Sequence, residues 1–118
     1  MKYMLLVYMD EQAMSDDERQ HCYAESAQLT QELNARGKYV SAGPLHSVAT
    51  ATSVRLREGK RLVTDGPFAE TREQLGGYYI IEATDLDEAI NIAEQVPPVR
   101  FGTIEIRPLM EISGLPED

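Results

Sequence analysis

The order of predicted elements is strand, helix, several strands, helix, strand, which describes an α+β fold on the split βαβ plan with an extra hairpin inserted at its centre. Three observations carry this. Segments 2–9 and 76–83 alternate like strands but are apolar on both faces, two stretches with helical spacing each begin with a capping signal, and a Glu-Gly turn joins two short alternating runs near the middle. The length of 118 residues suits one domain, placed at 1–112, followed by a polar tail at 113–118.

The first strand is predicted at 2–9, with Tyr3, Leu5, Val7 and Met9 on one face and Met4, Leu6 and Tyr8 on the other. Ser15 with Glu18 forms a capping box, and Asp16, Asp17 and Glu18 place negative charge at the positive end of the helix that follows. Cys22, Ser26, Leu29 and Leu33 fall on its inward face, with Tyr23, Ala27 and Thr30 widening it, and Gly37 stops it. A short strand is expected at 38–45. Thr50–Arg57 and Lys60–Thr64 form a hairpin around Glu58-Gly59, broken by Asp65-Gly66-Pro67. The strand at Gly76–Ala83 precedes a second helix, capped by Asp85 and Glu88, whose buried face is read as Leu86, Ala89, Ile90 and Ala93. Pro97-Pro98 ends that helix, and Thr103–Met110 is the last strand.

Two helices cover only one face of such a sheet. The second apolar face therefore calls for a cover, and a second copy of the same sheet related by a two-fold axis is the economical one. The net charge of −9, with no basic stripe in the strand or helix pattern, argues against direct nucleic-acid or anionic-membrane partners. The apolar start is too short to span a bilayer and lacks the features of a signal peptide. The single Cys22 excludes an internal disulfide and suits a reducing, cytoplasmic location. No Walker loop, GxGxxG, GxSxG or HExxH motif is present, so no cofactor and no metal are expected.

The run Val63-Thr64-Asp65-Gly66-Pro67-Phe68-Ala69-Glu70-Thr71, continued through Arg72-Glu73-Gln74-Leu75-Gly76-Gly77-Tyr78-Tyr79, resembles the DGPF signature of YCII-related bacterial proteins. Lys2–Leu6, Ala49–Arg55 and Glu105–Leu109 agree with it, so the likeness spans roughly residues 2–110. The resemblance implies a ferredoxin-like fold paired into a dimeric α/β barrel, a homodimer enclosing a cavity. It implies either a small cofactor-free enzyme acting on an organic molecule or a non-catalytic ligand-binding or regulatory module, for example one associated with an extracytoplasmic-function sigma factor. YCII proteins often carry a helix-1 histidine paired with an aspartate. Counted back from Ala42-Gly43-Pro44-Leu45, that histidine position falls on Ser26, and His21 is out of register, so the dyad is not carried over.

The candidate catalytic residues are Asp65 and His46. Asp65 ends a strand and opens a Gly-Pro turn. A carboxylate there either faces a cavity as a general base or is spent on the amides of its own turn. His46 follows Gly43-Pro44-Leu45 and is read either as a proton carrier, a role histidine often takes, or as an ordinary loop histidine. Arg55 is a candidate clamp for a substrate carboxylate, against a solvated strand face or an ion pair. Tyr78 and Tyr79 point to opposite faces, so at most one lines a cavity between sheets; Tyr79 is taken as the substrate-binding candidate, against simple packing. Glu70 and Glu73 read as solvated loop acids rather than metal ligands.

Overall fold

A computed structural model describes residues 1–116; the last two residues of the predicted tail lie outside the described residues. The elements are β1 (Lys2–Met9), α1 (Asp16–Ala35), β2 (Tyr39–Pro44), β3 (Thr52–Arg57), β4 (Lys60–Asp65), β5 (Gln74–Glu82), α2 (Leu86–Ala93) and β6 (Thr103–Pro108), with single 3-10 turns at Glu11–Ala13, Val48–Thr50 and Pro97–Arg100. Four strands form an antiparallel sheet in the order β2-β5-β1-β6, the ferredoxin-like arrangement in which β5 splits the β1-α1-β2 unit. Among the described residues, β3 and β4 pair only with each other.

Both helices form as their capping signals predict. The Glu18 backbone N–H donates to Ser15 Oγ at 3.1 Å and the Ser15 N–H donates to Glu18 Oε1 at 3.0 Å, closing the capping box. Asp85 accepts from the Glu88 N–H at 2.9 Å. Glu88 then accepts from Lys38 Nζ at 3.0 Å and from the Thr84 N–H at 2.8 Å, which ties the start of α2 to the entry of β2. These contacts hold the Glu88 carboxyl below the ordinary carboxylate range, the Thr84 amide first and Lys38 second.

The core lies between the sheet and the helices. Tyr3, Leu5 and Val7 from β1, Tyr79 and Ile81 from β5, and Leu29 and Leu33 from α1 join Ala89, Ile92, Ala93 and Val96 in one cluster. The opposite sheet face presents Met4, Leu6, Tyr78 and Ile80, each only partly covered.

Several boundaries differ from the sequence reading. Thr50 closes a 3-10 turn over Val48–Thr50, capped by Ser47 accepting from the Ala49 N–H, so the strand read from Thr50 begins at Thr52. β4 runs one residue further, to Asp65, and β5 begins at Gln74. β6 stops at Pro108, which has no N–H to continue a ladder. The larger correction is the face of α2. Ala89 and Ala93 are buried as read, but Leu86 and Ile90 are exposed and Ile92 takes their place, with Val96 buried just beyond the helix. The buried set follows helical spacing from Ala89, and its small residues let the short helix sit close to the sheet. Ile92→Ala is expected to lower the free energy of unfolding by about 2–5 kcal/mol. Leu86→Ala is expected to change it by less than about 1 kcal/mol. Urea denaturation of both variants measures this, and losses of equal size would contradict the assigned face.

Candidate functional site

The inward stripe of α1 changes character along its length. Its C-terminal half carries Leu29 and Leu33, which are fully engaged in the core. Its N-terminal half carries Cys22, Ser26 and Ala27, all short, above a patch of sheet made by Ala42, Gly43, Gly76 and Gly77. Short side chains above and missing side chains below leave a cavity of about 910 Å³ between α1 and the sheet. Gly77 also eases the approach of two strands. A Cβ at that position would lie 3.1 Å from the Gly43 carbonyl oxygen and 3.4 Å from Pro44 Cα, so β2 would have to draw back by a few tenths of an ångström to admit one.

Polar groups enter this apolar chamber at separate points. Tyr79 is almost fully buried, with Ser26 of α1 as its polar neighbour. Burial pushes the Tyr79 phenol up, with Ser26 acting in the opposite direction, so the hydroxyl stays protonated at neutral pH and is available as a donor. Cys22 lines the cavity as a free thiol. Burial raises its pKa, partly countered by Arg100, which favours the neutral thiol. Arg100 also donates to Glu25 at 2.9 Å, and that bond holds the Glu25 carboxyl low.

His46 lines the rim of the same cavity, on the segment that leaves β2. Glu11 pins this segment. It accepts from the Val48 N–H through Oε1 and from Ser47 Oγ through Oε2, both at 2.9 Å. Arg19 lines the cavity as well, and its guanidinium donates to the Glu11 carbonyl oxygen at 2.9 Å and to Asp16 at 3.2 Å.

The four sequence candidates thus divide into two pairs. His46 and Tyr79 meet at the cavity, whereas Asp65 and Arg55 sit on the β3–β4 hairpin and do not line it. Tyr79 faces the helices, not the open sheet face. Asp65 is exposed, opposite Thr52 at the root of the hairpin. Arg55 stacks over the Phe68 ring at 5.3 Å. The DGPF run itself closes that root. Gly66 adopts φ +105°, a conformation that disfavours any residue with a Cβ, its N–H donates to the Ala51 carbonyl at 2.7 Å, and its carbonyl accepts from Ser53 Oγ at 2.8 Å. No group of three or more His, Cys, Asp or Glu side chains is placed to hold a metal among the described residues.

A family model of the YCII-related domain matches residues 1–113. The chain belongs to the YCII-related family. An uncharacterized protein of Rhizobium meliloti (strain 1021) is 38% identical to it over 118 residues, with 92% of each chain covered. In this YCII-related chain, Ser26 of α1 and Tyr79 of β5 both line the cavity.

Glu11 escapes sequence reading because its partners are brought to it by the fold; Val48 is 37 residues away. The short residues at Cys22, Ser26 and Ala27 are the one signal of a cavity that the sequence carries. Glu11→Gln is expected to free one of the two pinned groups. Exchange of the Val48 amide should then accelerate roughly tenfold, for about 1 kcal/mol of lost hydrogen bonding. Amide hydrogen exchange reads this, and unchanged protection at Val48 would show that Glu11 does not hold the His46 segment.

Proposed function

We propose that this protein binds a small, largely apolar organic molecule bearing an acidic or other acceptor group in the cavity between α1 and the sheet. The observation that carries this reading is the chamber of about 910 Å³, apolar along most of its wall, with the protonated Tyr79 hydroxyl inside and Arg19 and His46 among its lining residues. Chambers of that size and character suit small ligands, and a few converging polar groups set orientation. Arg19 supplies positive charge for a carboxylate, and Tyr79 supplies a donor to a carbonyl or hydroxyl.

A catalytic version of the same reading is favoured by His46. Its imidazole, on a segment fixed by Glu11, is suited to move a proton to or from a ligand in the cavity, with no cofactor. Asp65 joins such chemistry only if a second copy brings it there. A homodimer also fits the partly covered residues Met4, Leu6, Tyr78 and Ile80, which a second sheet would bury, and the free buried thiol suits a reducing cytoplasm.

The test is a titration of isotopically labelled protein with a panel of small aromatic and aliphatic carboxylates, followed by backbone amide shifts. Saturable shifts are expected at Cys22, Ser26, His46 and Tyr79. Ser26→Leu, which fills the chamber, is expected to weaken binding roughly tenfold or more while the protein stays folded. Shifts confined to the open sheet face, or tight binding retained in Ser26→Leu, would overturn the assignment of the cavity.

A further inference from the structure

The β3–β4 hairpin is out of keeping with the rest of the molecule. Among the described residues it pairs only with itself, and a lone two-stranded hairpin is marginally stable in water. Val54, Leu56 and Val63 share one of its faces and are 65%, 66% and 55% exposed. The hairpin also makes the molecule extended. The radius of gyration is 16.1 Å, against about 13.5 Å for a compact chain of this length.

Its charge is inverted as well. Thr52–Asp65 carries Arg55, Arg57, Lys60 and Arg61 against Glu58 and Asp65, an excess of two positive charges on a chain of net charge −9. All but two of the chain's 20 acidic residues therefore lie outside it. None of the four basic residues forms an ion pair among the described residues.

We infer that the hairpin is an arm that docks on the acidic body of a second copy of this chain. Cationic strands with an uncovered apolar stripe are matched in sign by the one surface guaranteed to be present at equal concentration, the body of an identical chain. Exchange of two arms about a two-fold axis satisfies both copies and closes the assembly. The Gly66 bonds to Ala51 and Ser53 fix the root of the arm and so its direction. This inference rests on the homodimer proposed above and assigns it a second contact, separate from the sheet face. Charged residues on a free hairpin also guard its edges against aggregation, and the two roles predict different behaviour.

Lys60, at the tip of the arm, gives a direct readout. An equal mixture of light and heavy-nitrogen protein is treated with a zero-length carbodiimide cross-linker, and cross-linked peptides are identified by mass. Links from Lys60 to carboxylates in mixed-isotope pairs are expected. In parallel, Arg57→Glu with Arg61→Glu is expected to raise the dimer dissociation constant roughly tenfold or more at low salt, with a smaller difference at high salt and recovery in Arg57→Lys with Arg61→Lys. Sedimentation equilibrium measures this. Lys60 links found only within one isotope, or a dimer of unchanged affinity in the charge-reversed variant, would overturn the arm while leaving the homodimer standing. Aggregation of that variant without dissociation would assign the charges to edge protection instead. A chain that is monomeric throughout would remove both readings.

Discussion

Everything in this molecule depends on how α1 lies against the sheet. Leu29 and Leu33 anchor its C-terminal half in a cluster with Leu5 and Ile81, and burial of such side chains contributes on the order of 2 kcal/mol each. The N-terminal half has no comparable anchors. Cys22 and Ser26 are too short to reach a sheet that is itself stripped of side chains at Gly76 and Gly77, so one rigid helix is packed at one end and stands off at the other. The capping box at Ser15 keeps the unsupported end helical where packing does not.

The polar groups follow from that geometry. A phenol in the main core would need a partner or cost stability, and Tyr79 meets Ser26 because the helix above it offers a hydroxyl instead of a leucine. The segment after β2 runs along the same opening, and Glu11 holds it there by accepting from two groups, Val48 N–H and Ser47 Oγ. Site and scaffold are therefore one construction, and the substitutions that would tighten the core under α1 are those that would fill the chamber.

Much of the fold was legible in the sequence because its signals are local. The Ser15 capping box, the Asp85 cap, the Gly37 stop and the Glu58-Gly59 turn each need only neighbouring residues, and each is found where read. The face of α2 was misassigned in part because an eight-residue helix gives two apolar stripes of similar weight, and only contact with the sheet selects Ile92 over Leu86 and Ile90. The site was legible in part. His46 and Tyr79 line the cavity, whereas Asp65, chosen for its place at a strand end before a Gly-Pro turn, and Arg55, chosen for its place within a strand, stand on the hairpin outside it. Which face of the sheet carries the chamber depends on side-chain volumes summed across α1, β2 and β5, and no single segment displays that sum.

The central claim is that α1 stands off the sheet at the Cys22–Tyr79 end and leaves a deep, partly open cleft there. Xenon settles into apolar cavities of proteins without needing a specific ligand. A crystal structure determined under xenon pressure is predicted to place the gas among Cys22, Tyr79 and Val96. A structure in which α1 lies flat on the sheet at Cys22 and Ser26, with no xenon beneath it, would contradict the account.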